Sequence, residues 1–165
     1  LVEGEIGIIG TDASKVYSEN FEIKEENLTK PEQALDFVKK TRVDLLAVSV
    51  GNFHGMSFGE NVIDPHLKLD VLENIADALH NHTSLLVLHG GSGTPEQDIK
   101  TAIKLGIVKI NINTEIRMVF ANNIKKYFAE NTEETTPYKF LSPAFEAVQK
   151  ICEQKIKLFG SENRI

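Results

Sequence analysis

Leu85-Leu-Val-Leu-His89-Gly-Gly-Ser-Gly-Thr-Pro95 decides the reading of this chain. Four apolar residues end in a histidine, and a glycine-rich turn leads into a stretch of helical periodicity. The run reads as a buried strand feeding a helix. Thr94 takes the N-cap, Pro95 the first helical position, and Gln97 completes a capping box. Gly90, Gly91 and Gly93 let backbone N–H groups converge just before a helix N-terminus. That geometry binds anions, phosphate above all. One turn therefore sets a metal-type ligand, His89, beside a phosphate-type cradle.

The same unit recurs on both sides. Val43 to Val50 is a second apolar strand, and it also ends in a glycine-flanked histidine, Gly51-Asn-Phe-His54-Gly55. Val2 to Ile9 predicts a strand that carries Glu3 and Glu5 on one side. Thr29-Lys-Pro-Glu32 reads as a capping box opening a helix with Ala34, Leu35 and Val38. Leu69, Leu72, Ile75, Ala76 and Leu79 mark another amphipathic helix. Downstream, Ile99, Ala102 and Ile103 lie on a helix closed by Gly106. Ile107 to Ile112 is the fourth strand, and Asn113-Thr-Glu115 opens the next helix. After a polar linker from Asn131 to Thr136, Pro143 to Leu158 predicts one more helix. Strands alternating with helices, the strands mostly apolar throughout, indicate a parallel sheet under helical cover. The long polar stretch from Gly10 to Leu28 reads as a functional lid or a disordered excursion.

The composition narrows the function. At 165 residues, 41% hydrophobic and 25% charged, the chain is long enough for a real core and ordinary for a globular protein. A net charge of −6 without a basic stripe argues against a nucleic-acid partner. It leaves room for a small phosphorylated substrate held by backbone amides. The single cysteine, Cys152, forms no internal disulfide and fits a cytoplasmic setting. No apolar run is long enough to cross a membrane, so no membrane partner is expected.

In a parallel α/β sheet all strand C-terminal ends share one face, which carries the chemistry. His54, His89 and Asn111 each sit at or just past such an end, about one βα unit apart. Two histidines so placed suit a zinc site, which takes three protein ligands and an open position when catalytic. Either one alone would be read as a hydrogen-bonded rim histidine; together, each followed by glycine, they favour the metal. Glu5 is a candidate metal ligand or outer support, with a plain ion pair to a basic residue as the equal alternative. His66, His80 and His82 read as solvated. Gly90-Gly-Ser92 and Asn111-Ile-Asn-Thr114 occupy consecutive loops, where (β/α)8 barrels often hold phosphate. Ser92, Asn111 and Thr114 can donate there, while simple helix capping is the alternative for Asn113 and Thr114.

Four segments then carry a resemblance: Val2-Glu-Gly-Glu-Ile-Gly7, Asp44-Leu-Leu-Ala-Val-Ser-Val-Gly-Asn-Phe-His-Gly55, Leu86-Val-Leu-His-Gly-Gly-Ser-Gly93 and Lys109-Ile-Asn-Ile-Asn-Thr-Glu115. The sequence resembles the class II ketose-bisphosphate aldolases, zinc-dependent lyases that include fructose- and tagatose-bisphosphate aldolases. The likeness continues into Tyr138 to Pro143 and Lys157 to Ser161. The resemblance implies the C-terminal half, about four βα units, of a TIM (β/α)8 barrel. Residues 1–165 would form one partial-barrel domain equivalent to strands five to eight, with a helical extension from about residue 137. It implies zinc as cofactor, with His54 and His89 as two of its three histidine ligands. It implies that Gly55, Gly90, Gly91, Ser92, Asn111, Ile112, Asn113 and Thr114 hold dihydroxyacetone phosphate. The implied reaction is reversible aldol cleavage of a ketose 1,6-bisphosphate to dihydroxyacetone phosphate and glyceraldehyde 3-phosphate, within glycolytic-type carbohydrate metabolism. A homo-oligomer is implied for the complete enzyme.

The sequence also departs from the family pattern. The Asp-His-Gly segment that carries the family's remaining zinc histidine and its proton-transferring aspartate does not occur. The expectation is therefore a C-terminal half, inactive by itself. A non-catalytic phosphate-binding half-barrel is the rival reading. In the expected lid the family often carries an acidic residue after a glycine pair, whereas this chain has Gly10-Thr-Asp-Ala13; Asp12 is nearby but shifted, and its role stays open.

Overall fold

The computed structural model describes residues 1–9, 16–17, 24–57 and 66–164, with 16–17 and 56–57 as backbone only. Asp12 and most of the expected lid lie outside the described residues. In chain order the elements are β1 (Glu3–Ile6), β2 (Val16–Tyr17), a 3-10 turn (Glu25–Asn27), α1 (Pro31–Thr41), β3 (Leu45–Val48) and β4 (Met56–Ser57). They continue as α2 (Leu69–Leu79), β5 (Leu85–Leu88), α3 (Glu96–Lys104), β6 (Ile107–Ile110), α4 (Thr114–Glu130) and α5 (Pro137–Leu158). One all-parallel sheet runs in the order β1-β3-β5-β6, and β2 pairs with β4 separately. This is the expected α/β half-barrel arrangement, each main-sheet crossover containing a helix. Two compact units divide the chain, Leu1–Ile112 and Asn113–Ile165.

In the first unit the strand period of two sorts the side chains. Gly4, Leu46 and Leu86 alternate with Glu3–Leu45–Leu85 and Glu5–Ala47–Val87 in the paired register. Leu46, Val48, Leu86 and Leu88 are buried, as are Ala34 and Val38 of α1, Leu72, Ile75 and Leu79 of α2, and Ile99 and Ala102 of α3. Each such side chain contributes about 1.5–3 kcal/mol by leaving water. Gly4 is required on this helix-covered face, because a Cβ there would lie 2.7 Å from the Phe37 ring. The other face carries Glu3, Glu5 and Lys109. Lys109 reaches it through a register shift between Leu86 and Val87, which pairs Val87 with Lys109 and skips Val108. A one-residue offset moves a side chain to the opposite face. Val108 is accordingly exposed.

Several local expectations are corrected. Gly7, at φ +94°, ends β1 early; a Cβ there would lie 2.6 Å from Thr29 Oγ1. Thr29 does not cap α1. Its buried hydroxyl donates to the Ile6 carbonyl (2.7 Å) and accepts from Ser49 N–H (2.8 Å), tying the ends of β1 and β3. The Lys30 N–H is received by Gln33 Oε1 instead. Thr94 does not cap α3 either, since Pro95 occupies the N-cap position with no side-chain cap bond. The first-turn Asp98 is turned inward, accepting Leu67 N–H at 2.9 Å.

In the second unit α5 starts at Pro137, six residues before the predicted Pro143, and runs through that proline. Pro137 suits a first helical position, and Glu134 Oε1 accepts the N–H groups of Thr135 (3.1 Å) and Thr136 (2.9 Å) just ahead of it. Pro143 costs one intrahelical bond. Packing against α4 offsets that cost through Phe128–Phe140, Phe120–Phe145 and a Lys155–Glu115 ion pair of 2.8 Å. Cys152 is a half-buried free thiol on α5. Among the described residues no helix is long and apolar enough to cross a membrane.

Candidate metal centre

Three adjacent strands bring three donors together. Glu5 projects from β1, His54 lies on the turn after β3, and His89 follows β5. Ligand atoms of Glu5, His54 and His89 all lie within 4.8 Å of one another. The His54 and His89 rings are 5.9 Å apart by centroid and tilted by 48°. Two imidazoles and one carboxylate are a donor set suited to zinc and similar divalent ions. Burial, reinforced by the neighbouring His89, pushes the His54 pKa down and favours the neutral ring that ligates metals. Glu5, with both metal and ion-pair alternatives open in the sequence, lies with Oε2 2.6 Å from His89 Nδ1.

A second layer surrounds this cluster, and sequence reading missed it. Glu3 Oε1 lies 2.9 Å from His89 Nε2, and Lys109 Nζ donates to Glu3 Oε2 at 2.7 Å. The Lys109 hydrogen bond is the main reason the Glu3 carboxyl is held below its usual pKa. The period-two match of Glu3 with Glu5 was a usable signal; the bulge that delivers Lys109 was not. Asn52 is buried between the two histidine turns, with Nδ2 donating to the His89 carbonyl at 2.9 Å.

The expected phosphate residues are distributed as follows. Gly90 adopts φ +63°, and a Cβ there would fall 2.2 Å from the Phe53 carbonyl oxygen. Gly91 lies against Ile110 and Ile112, Ser92 is buried, and Gly55 is buried beside His54. Asn111 is exposed, and its N–H donates to the Leu88 carbonyl at 3.0 Å. Asn113 and Thr114 belong to the second unit. Asn113 is the α4 N-cap without a side-chain cap bond, and Thr114 is buried. His80 is exposed and bonded to the Asp77 carbonyl, and His82 is partly exposed. His66 is exposed but within 3.0 Å of Asp98.

The family model for class II fructose-bisphosphate aldolase matches residues 1–164. The chain belongs to the class II fructose-bisphosphate aldolase family. It is 39% identical over 162 residues to a sulfofructosephosphate aldolase from Alkalicoccus urumqiensis, covering 98% of this chain and 53% of that protein. It is similar to the crystal structure of the YdjI aldolase from Escherichia coli K12, with a TM-score of 0.71 and 34% identity over 98% of this chain and 49% of that one. The fold also matches a fructose-bisphosphate aldolase from Campylobacter jejuni, with a TM-score of 0.69 and 23% identity over 96% and 51% of the two chains. The chain thus spans about half the length of the aldolases it matches.

Proposed function

We propose that this chain forms the metal- and phosphate-binding half of a class II aldolase. That enzyme would cleave a ketose 1,6-bisphosphate reversibly to dihydroxyacetone phosphate and glyceraldehyde 3-phosphate. The convergence of Glu5, His54 and His89 at the C-terminal strand ends is the observation that carries this reading. In it, His54 and His89 hold zinc with Glu5 at hand, and the remaining ligand comes from an Asp-His-Gly segment. Zinc so held supplies a Lewis acid that polarises the ketone oxygen.

The chain's own residues then perform two tasks. Glu3 accepts a hydrogen bond from His89 Nε2–H, leaving Nδ1, the nitrogen beside Glu5, to face the ion. Backbone N–H groups of Gly90 and Gly91, the Ser92 hydroxyl and the Gly55 turn hold the substrate phosphate, with Asn111 and Ile112 completing the cradle. Proton movement at the reacting carbon falls to an aspartate of the Asp-His-Gly segment. The 39% identity to a sulfofructosephosphate aldolase favours one further reading, in which the substrate is a sulfofructose phosphate. The residues above serve the phosphate end in either case.

The test is a coupled cleavage assay on fructose bisphosphate, tagatose bisphosphate and sulfofructose phosphate. The 165-residue chain with zinc alone should show no turnover. Adding a half that carries Asp-His-Gly should produce it, and His54→Ala should abolish it. Turnover by the chain alone would overturn this division of labour. Phosphate-ligand binding without turnover in the complemented protein would favour a non-catalytic half-barrel.

A further inference from the structure

We propose that Asn52 is the positioning residue that sets the separation of His54 and His89; the proposal rests on the metal reading above. The β3–β5 ladder ends at Ala47–Val87. Beyond it the two histidine-bearing turns have no strand pairing to hold them in register. Asn52 takes over that task. Its side chain is buried at 3% exposure, its Oδ1 accepts Val50 N–H at 2.7 Å, and its Nδ2 donates to the His89 carbonyl at 2.9 Å. One planar amide therefore binds the backbone leaving β3 and the backbone of the opposing ligand residue itself.

Gly90 removes the remaining slack, because its backbone lies so close to Phe53 that a Cβ would fall 2.2 Å from the Phe53 oxygen. One residue separates Asn52 from His54, and none separates its partner carbonyl from His89. An error in this bond passes directly into the 5.9 Å spacing of the rings. Binding sites tolerate only about 0.5 Å of such error. The position needs an acceptor and a donor on one short rigid group, which asparagine supplies and aspartate does not.

Asn52→Asp keeps the acceptor for Val50 and turns an oxygen toward the His89 carbonyl. In the full chain we expect zinc affinity, measured by chelator competition, to fall about ten- to a hundredfold, and the visible spectrum of the cobalt-substituted protein to change. Ser49→Ala, which removes a part-buried bond to the Ile8 carbonyl (3.0 Å), should lower stability without moving either readout. In a His54→Ala background, Asn52→Asp should cost little further affinity, since the spacing it protects no longer matters. Parent-like affinity in Asn52→Asp, or an equal loss in Ser49→Ala, overturns the proposal. If the parent binds no zinc, the metal reading fails, and a crystal structure of metal-free Asn52→Asp still decides the positioning role. An unchanged ring separation there overturns it. Asn52→Ser, which keeps a hydroxyl near Val50 but cannot reach His89, serves the same measurements if the aspartate prevents folding.

Discussion

His89 Nε2 lies 2.9 Å from Glu3 Oε1, although the two residues are 86 positions apart and two strands removed in the sheet. The second oxygen of Glu3 takes Lys109 at 2.7 Å, so side chains from both sheet edges meet across one face. Outer carboxylates of this kind fix the tautomer and orientation of a ligand histidine. Glu3→Gln should therefore lower zinc affinity about tenfold or more while leaving the fold intact. Lys109→Met should have a smaller effect in the same direction. Chelator competition and thermal melting separate the two consequences.

Gly90→Ala should be far more damaging than Gly106→Ala. Both positions have positive φ, +63° and +108°, but a Cβ at Gly106 meets nothing within 4 Å. Gly106→Ala should cost only backbone strain, about 1–3 kcal/mol. Gly90→Ala adds a collision with the Phe53 backbone, for a total of about 2–5 kcal/mol. Urea denaturation of both variants reads the difference directly.

The proposed phosphate cradle is tested by Ser92→Ala. The variant should remove one charge-assisted hydrogen bond worth about 1.5–3 kcal/mol, weakening dihydroxyacetone phosphate binding roughly ten- to a hundredfold. Metal loading should be unaffected. Parent-like binding by this variant would move the cradle elsewhere.

Glu134 predicts a pH-dependent stability in the helical unit. Its hydrogen bond from Lys139 (2.7 Å), with those from Thr136, holds its carboxyl down to about 2 from 4.5. A depressed carboxyl pKa stabilises the fold fully above the unfolded value and loses that contribution as pH falls through the folded one. The stability gap between the parent and Glu134→Gln should be constant above about pH 5 and close between about pH 4.5 and 2. Thermal melts followed by circular dichroism across that range check the sign.

Core truncation gives a fold-level comparison. Ile75 is fully buried on α2. Ile75→Ala should cost about 2–5 kcal/mol, while leaving the ligand cluster on the opposite face of the sheet assembled in the molecules that fold.

The sequence by itself determined the alternation of the four main-sheet strands with their helices and pointed to the strand ends as the candidate site. Leu85–Leu88 was legible to the residue, because a four-residue apolar run between polar neighbours is a local signal. His54, His89 and Glu5 followed from strand ends and period-two alternation, both of which depend on near neighbours only. The tertiary structure decided which polar groups serve the site. Thr29 and Thr94 looked like helix caps, yet Thr29 ties two strand ends and Asp98, not Thr94, engages the neighbouring chain. Pro143 looked like a helix start until packing on α4 carried the helix through it. Lys109 reached Glu3 only because β6 slips one residue past Val87. Caps and periodicity are set within a few residues of chain. Register and partner choice depend on every strand being in place at once, and no local stretch encodes them.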